Sequence, residues 1–282
     1  MHKLSIPELH SSRNLEQPAL MAPSSALLTL PSLLFAFLLL LLLLLLLSPT
    51  VSSIPPPEIL YPKQAVPTKS GYLPTNSSSS SLFFAFYEAQ KPLTSPSSTP
   101  IILWLQGGPG CSSMIGHLFE FGPYLLSSHL HLLPNPFTWN RRFALLFIDS
   151  PIAAGFSHSS SPIPRDQNSI ASNLYSALQS FLSSQPPFFR SRPLFLSGQS
   201  YGGKFVVSSA RHILLQNQNP IVPPSLRINL AGISIGNGMI HPVVQIRVHA
   251  AAAYSFGLIN ERQRAKLEKM QEIKSYFLRD CT

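Results

Sequence analysis

The sequence predicts an α/β fold, with a mostly parallel β-sheet and flanking helices. Short, continuous apolar runs bounded by glycine or proline are typical of strands that are buried on both faces of a parallel sheet. Segments with apolar residues at helical spacing alternate with these runs, which indicates right-handed strand–helix–strand crossovers. A Gly-x-Ser-x-Gly motif lies where one predicted strand gives way to a helix.

The first 69 residues are expected to lie outside this fold. Residues 1–52 are interpreted as a leader with a signal peptide, because the apolar run 33–47 is shorter than the about 20 residues of a membrane span and small residues follow it. A cleaved signal peptide is favoured over a retained membrane anchor. Residues 53–69 are rich in proline and are expected to form a linker. In the secretory pathway, Asn76 of the sequon Asn-Ser-Ser is a candidate glycosylation site.

The composition argues against several classes of function. The formal net charge is +9, but the basic residues are scattered, and no basic stripe is interleaved with aromatic residues as a nucleic-acid groove requires. The two cysteines, Cys111 and Cys281, form no metal-binding motif. We therefore expect no metal, no cofactor and no nucleic-acid partner, and membrane contact only through an uncleaved leader.

Residues 70–282 carry the alternating pattern of the domain. Apolar runs predict strands at residues 82–87, 101–105, 143–148, 194–196 and 228–235. Helical spacing predicts helices at about residues 170–182, 201–215 and 260–278. The last helix is charged and amphipathic, and we interpret it as part of the scaffold.

Ser200 is the candidate nucleophile. It is the central residue of Gly198-Gln199-Ser200-Tyr201-Gly202, between a predicted strand and a predicted helix. Small residues two positions before and after the serine permit a strained turn that presents the hydroxyl above the sheet. The amino end of the following helix favours negative charge at the same place. The alternative interpretation is an ordinary strand-to-helix turn that is rich in small residues.

A glycine-rich segment after an early strand predicts a second part of the site. Acyl transfer needs two backbone N–H groups that point at the developing oxyanion. One comes from the residue after the nucleophile, here Tyr201, and the other from a glycine-rich loop after an early strand. The segment Gln106-Gly107-Gly108-Pro109-Gly110-Cys111-Ser112-Ser113 follows the predicted strand 101–105 and fits this loop.

Trp104 to Ser113 resembles the oxyanion-loop signature of the serine carboxypeptidases, a family with the α/β-hydrolase fold. Further similar segments occur in the family's order at residues 119–123, 135–140, 146–151, 155–157 and 232–238. The likeness is to the plant serine carboxypeptidase-like branch, which has Gln rather than Asn at the start of the loop. The resemblance implies a secreted or vacuolar exopeptidase that removes C-terminal residues from peptides, although some members act as acyltransferases.

The resemblance also implies roles for individual residues. By position, Ser200 is the nucleophile, and Gly108 and Tyr201 supply the oxyanion N–H groups. Cys111 pairs in the family with a downstream cysteine, for which Cys281 is the candidate here.

Three further positions match the family's recognition of a peptide C-terminus. Gln106 and Gly107 lie where the family binds the terminal carboxylate of its peptide substrate, and Gln199 lies where a further contact to it is made. The family normally has Glu at the position of Gln199. An amide does not titrate, so the family's preference for acid pH is not expected to carry over.

The acid and base that would complete a catalytic triad are expected to be missing, together with the last strands of the fold. In this fold they follow the nucleophile in the order Ser, acid, His. The acids after Ser200 are Glu261, Glu268, Glu272 and Asp280, and no histidine follows any of them. Asp149 is more simply a turn residue, and His241 ends a predicted strand.

A serine hydroxyl without a general base is a poor nucleophile. We therefore expect this chain to be an inactive serine carboxypeptidase. Two alternatives remain open: a serine carboxypeptidase-like acyltransferase, and a non-catalytic, secreted peptide-binding pseudoenzyme.

Overall fold

The computed structural model describes residue 38 and residues 63–77, 79–160 and 162–279. The chain divides into two units, residues 1–56 and 57–282, and the structure given below is that of the second. The leader, the first part of the linker and Cys281 lie outside the described residues. Within the expected linker, Lys63–Ala65 forms a 3-10 turn, and the buried Ala65 accepts a hydrogen bond from the Tyr87 hydroxyl (3.0 Å).

Most strands of the described residues pair into one mixed sheet. In chain order the strands are β1 (Lys69–Pro74), β2 (Ser80–Tyr87), β3 (Ile101–Leu105), β4 (Tyr124–Leu126), β5 (Leu132–Pro134), β6 (Ala144–Ile148), β7 (His158–Ser159), β8 (Leu194–Gln199) and β9 (Leu230–Gly236). The order across the sheet is β1-β2-β6-β3-β8-β9, with β7 paired to β2, while β4 and β5 form a separate hairpin. Strands β6, β3, β8 and β9 are parallel, so their carboxyl ends lie at one edge of the sheet.

Two helices lie between strands of the described sheet, and three more follow its last strand. In the described residues they are α1 (Gln167–Ser183), α2 (Gly202–Gln218), α3 (Pro242–Gln245), α4 (His249–Ser255) and α5 (Glu261–Arg279). The start of α1 is fixed by Asp166, whose side chain accepts a hydrogen bond from the backbone N–H of Ser169 (2.8 Å).

The main core lies between the sheet and helices α1 and α2. Alternate strand residues point to this face, among them Leu103 and Leu146, and both are fully buried. The helices contribute residues at helical spacing, such as Leu174 and Phe181 from α1 and Phe205 from α2. This packing fixes α2 directly behind the carboxyl end of β8.

The opposite face of the sheet is covered by the segment 106–143 rather than by a long helix. Trp104 and Phe147 point to this face and pack against Phe121, with ring centroids 4.6 and 5.6 Å apart. Phe121 stacks in turn on Trp139 at 4.2 Å. Because this aromatic cluster anchors Phe121, it also places its neighbour Glu120 at the carboxyl edge of the sheet.

The fold class expected from the sequence is confirmed: the sheet is mostly parallel and has flanking helices. All five strands and three helices inferred from the sequence are present, with the strand expected from residue 228 beginning at Leu230. Strands β1 and β7, the β4–β5 hairpin and helices α3 and α4 were not foreseen, because they are short or lack a clear apolar period. In the described residues β9 is an edge strand, and its Ile233 is 48% exposed. No helix of the described residues is both long and apolar enough to cross a bilayer.

Candidate active site

Ser200 lies in a tight turn between β8 and α2. Its φ is 55°, the left-handed region that costs a residue with a side chain about 1–3 kcal/mol. The turn fits against β3 because Gly198 and Gly202 have no side chains. A Cβ at these positions would lie 2.6 and 2.4 Å from the carbonyl oxygen of Leu105. The two glycines therefore allow the sharp turn that leaves Ser200 exposed at the carboxyl edge of the sheet.

The end of β9 holds the backbone of Ser200 in place. The N–H of Ser200 donates to the carbonyl of Gly236 (3.1 Å), and its carbonyl accepts from the N–H of Met239 (2.8 Å). Both bonds use backbone groups, so they constrain the turn and leave the hydroxyl free for chemistry.

The glycine-rich loop after β3 lies directly against this turn. A Cβ at Gly107 would lie 2.8 Å from the backbone nitrogen of Tyr201 and 2.9 Å from the Cβ of Ser200. Gly108 follows with a φ of 109°, which favours glycine. The structure thus brings Gly107 against Ser200 and Tyr201, which lie more than 90 positions later in the chain, and Gly108 is the next residue of the same loop.

Asp149 anchors the far end of this loop. The buried carboxylate accepts hydrogen bonds from the Ser112 hydroxyl (2.8 Å) and the N–H groups of Ser113 (2.7 Å) and Phe156 (2.8 Å). Burial raises the pKa of Asp149, while these three hydrogen bonds act in the opposite direction. Asp149 therefore ties the oxyanion-type loop to the turn after β6, which is a positioning role.

Gln106 is buried, and one end of its amide is already engaged. Its Oε1 accepts a hydrogen bond from Trp104 Nε1 (2.7 Å). This contact engages Oε1 and leaves Nε2 as the donor end of the amide.

Gln199 contacts a residue to which the sequence gave no role. Its Nε2 donates to Oε1 of Glu120 (2.8 Å), 79 positions earlier in the chain. Glu120 ends a π-helical turn, Gly116–Glu120, and is exposed. One N–H of the Gln199 amide is thus engaged and the other remains available. The only signal for Glu120 was its place in the family-like segment 119–123.

In the described part of the chain, no histidine or carboxylate hydrogen bonds to the hydroxyl of Ser200. His241 caps α3, where its Nδ1 accepts from the N–H of Val244 (3.4 Å). His212 packs edge-on against Tyr175 at 5.4 Å.

His117 is buried in the aromatic cluster, and this desolvation lowers its pKa to about 4. Its Nδ1 has no hydrogen-bond partner in the described structure. This histidine is therefore neutral and structural.

A cavity of about 550 Å³ opens beside Ser200 and Tyr201. Its walls include Lys204, His249 and Lys274, none of which the sequence reasoning selected. Lys204 lies on the first turn of α2, close enough to Ser200 in sequence to be noticed. Lys274 gave no signal, because it belongs to the helix interpreted as scaffold.

Asn76 is exposed and its side chain contacts α1. Its Nδ2 donates to the Ser172 hydroxyl (2.6 Å), and its Oδ1 accepts from the Ser176 hydroxyl. Cys111 is exposed, and its candidate partner Cys281 lies outside the described residues. In the described ranges, no group of three or more His, Cys, Asp or Glu side chains is placed to hold a metal ion.

A sharp strand-to-helix turn at the carboxyl edge of this sheet is the arrangement of the α/β-hydrolases. The family model for serine carboxypeptidase matches residues 57–281. The chain therefore belongs to the serine carboxypeptidase family.

Known relatives agree with this assignment. Serine carboxypeptidase-like 50 of Arabidopsis thaliana is 48% identical over 228 residues, which is 79% of this chain and 49% of the relative. The human probable serine carboxypeptidase CPVL is 35% identical over 212 residues, 74% of this chain and 43% of the relative. The chain thus spans about half the length of the curated relatives it matches. The plant-type likeness seen in the sequence agrees with the Arabidopsis match.

A solved structure supports the fold. Kex1Δp, a prohormone-processing carboxypeptidase from Saccharomyces cerevisiae, superposes with a TM-score of 0.62 at 30% identity. The match covers 68% of this chain and 43% of the yeast chain.

Proposed function

We propose that this site binds the C-terminus of a peptide and presents its last peptide bond to Ser200, the nucleophile of a serine carboxypeptidase. The observation that carries the proposal is the left-handed turn at Ser200, with Gly107 packed against the backbone nitrogen of Tyr201. The N–H groups of Gly108 and Tyr201 would stabilise the oxyanion beside that serine.

When a general base is supplied, the proposed reaction runs as follows. Ser200 Oγ attacks the carbonyl carbon of the last peptide bond, and its proton passes to a general base. The tetrahedral intermediate collapses when that proton is transferred to the amine, which leaves as the free C-terminal amino acid. The remaining peptide is bound to Ser200 as an ester, and water hydrolyses the ester by the same sequence of steps.

Recognition of the C-terminus is assigned to neutral donors. Gln106 Nε2, the N–H of Gly107 and the second N–H of Gln199 would hydrogen bond to the terminal carboxylate. Because amides do not titrate, these donors remain available at every pH at which the protein is folded. A charged acceptor makes such hydrogen bonds worth about 1.5–3 kcal/mol each.

The 282-residue chain is proposed to bind peptides without turning them over. No described histidine or carboxylate contacts the Ser200 hydroxyl, so the hydroxyl keeps its proton and stays a weak nucleophile. The chain would then behave as a non-catalytic secreted peptide-binding protein. The remaining half of a relative would supply the acid and the base.

Two proteins test this proposal: the 282-residue chain, and a chimera that joins it to the C-terminal half of the Arabidopsis relative. We expect the chain to bind N-acetyl dipeptides without hydrolysing them. The chimera should release the C-terminal amino acid and be labelled by a fluorophosphonate, with both properties lost in Ser200→Ala. Turnover by the chain alone that is lost in Ser200→Ala would refute the lack of a base. Absence of both turnover and labelling in a folded chimera would refute the role of Ser200.

The chimera also separates the two enzyme functions. A glucose ester offered with an acceptor alcohol reports acyl transfer, which uses the same acyl-enzyme but a different second substrate. We propose peptide hydrolysis as the main activity, and the three amide donors proposed above for a terminal carboxylate support this choice. Acyl transfer at a higher rate than dipeptide hydrolysis would favour the acyltransferase.

We further propose that the protein enters the secretory pathway and is secreted or vacuolar. The expected leader at residues 1–52 and the exposed sequon at Asn76 support this proposal. The peptide C-terminus is the proposed partner, and membrane contact is limited to an uncleaved leader.

A further inference from the structure

The cavity beside Ser200 carries positive charge. Lys204 from α2 and Lys274 from α5 line it, and no Asp or Glu is among its wall residues. Neither lysine forms an ion pair within the described residues. The Lys204 ammonium lies 5.7 Å from the ring centroid of Tyr201. The amino end of the 17-residue helix α2 adds its partial positive charge to the same wall.

The cavity lies apart from the residues assigned to the peptide C-terminus. Gln106, Gly107, Glu120 and Gln199 do not line it, and Ser200 borders both regions. A substrate whose terminal carboxylate meets these donors places its last peptide bond at Ser200. In this orientation the residue before that bond would lie on the other side of Ser200, where the cavity opens.

We propose that this cavity is a specificity subsite for an acidic side chain, contributed by the residue that precedes the scissile bond. The inference rests on the proposed function, because that function sets the direction of the peptide. The ammonium groups of Lys204 and Lys274 bind the carboxylate of the side chain. Apolar wall residues such as Met239 and Ile246 contact its methylene groups. His249, also in the wall, is a further polar group facing the ligand.

Peptide binding to the Ser200→Ala form of the whole chain tests the subsite without any need for catalysis. The probes are N-acetyl-Glu-Leu, the uncharged N-acetyl-Gln-Leu, and N-acetyl-Gln-Leu-amide, measured by titration calorimetry. We expect the Glu peptide to bind about tenfold more tightly than the Gln peptide. Lys204→Met and Lys274→Met should each lower this ratio, and the double variant should bring it close to one.

Lys91→Met is the matched control, because it removes an exposed lysine at the other edge of the sheet. The backbone N–H of Lys91 donates to the carbonyl of Arg141, just before β6. Ser200, in contrast, lies at the carboxyl end of the parallel strands. This variant should leave the ratio unchanged. Methionine keeps the length and apolar stem of lysine, so the comparison isolates the charge.

The outcomes separate the subsite from the proposed function. A ratio near one in the parent protein, or a ratio that the two lysine variants do not change, overturns the acidic subsite. Equal binding of N-acetyl-Gln-Leu and its amide overturns the recognition of the C-terminus instead. A folded protein that binds none of the peptides overturns both. If the chain aggregates, the same ratio is measured as kcat/KM in the chimera, where a value near one again overturns the subsite.

Discussion

The contact between Gln199 and Glu120 gives the sharpest prediction about substrate recognition. Gln199 Nε2 lies 2.8 Å from Glu120 Oε1, so a neutral amide donates to a carboxylate. In Gln199→Glu two carboxylates would face each other at that distance, beside a third carboxylate from the peptide. They cannot all be charged at low cost, and the variant must take up a proton when it binds the peptide.

The size of the effect follows from the exposure of the pair. Glu120 is exposed and Gln199 is partly buried, so screening is substantial. Two unit charges about 4 Å apart repel by ~1 kcal/mol in water and by ~4 kcal/mol near a protein surface. The variant also loses a hydrogen bond to a charged group, worth about 1.5–3 kcal/mol. Because the pair is exposed and screened, we expect a total cost of ~1.5–3 kcal/mol, which corresponds to about tenfold or more in Kd.

The assay is the Kd of N-acetyl-Gln-Leu for the Ser200→Ala protein between about pH 5 and about pH 7.5, repeated as KM in the chimera. We expect a nearly flat profile for the protein that keeps Gln199. With Gln199→Glu the Kd should climb towards neutral pH by about tenfold, because the shared proton is lost there. All other titratable groups are common to both proteins, so the difference between the two profiles reports on this pair.

An exchange of the two side chains provides the control. The double variant Gln199→Glu/Glu120→Gln removes the charge at position 120 but keeps a carboxylate beside that of the peptide, so its profile should retain part of the climb. N-acetyl-Gln-Leu-amide lacks the third carboxylate, so the dependence should shrink with that ligand as well. Parallel profiles for the parent and Gln199→Glu would refute the account, and would show that Gln199 does not face the peptide carboxylate.

Three further changes test other parts of the molecule. Burial lowers the pKa of His117 to about 4. Between about pH 6.5 and pH 4 this histidine is therefore protonated in the unfolded chain and neutral in the folded chain. His117→Phe should remove ~3 kcal/mol of acid destabilisation, which is absent above about pH 6.5 and grows as the pH falls. The measurement is urea unfolding at neutral and at acid pH. An equal loss of stability on acidification in the parent and in the variant would contradict this prediction. Strand β9 has an unpaired edge and an exposed Ile233 in the described structure, so Ile233→Lys should reduce aggregation in light scattering, whereas Leu93→Lys in a remote loop should not. Asn76→Gln should abolish an endoglycosidase-sensitive shift in electrophoretic mobility of the secreted protein, and an unchanged mobility would exclude glycosylation there.

Much of the fold was predictable because its signals are local. The buried strands around Leu103 and Leu146 are continuous apolar runs, and α1 repeats apolar residues at helical spacing from Ile170 to Leu182. The elements that escaped prediction are short. The hairpin β4–β5 has three residues in each strand, and α3 has four. Such elements are stabilised by tertiary packing, and their own sequences carry too few residues to show a period.

In the candidate site, too, some features were predictable from local sequence and others depend on tertiary contacts. The sequence determined the serine, its flanking glycines and the glycine-rich loop, because the steric demand of a sharp turn and of a close backbone approach selects residue types within a few positions. Only the tertiary structure decided that Glu120 meets Gln199, and that Lys204 and Lys274 share a cavity with Ser200. Apart from the sequence neighbours Ser200 and Lys204, these contacts join residues that are 70 or more positions apart on different elements. Their meeting depends on the strand order and helix packing of the whole domain, which no local pattern of residues encodes.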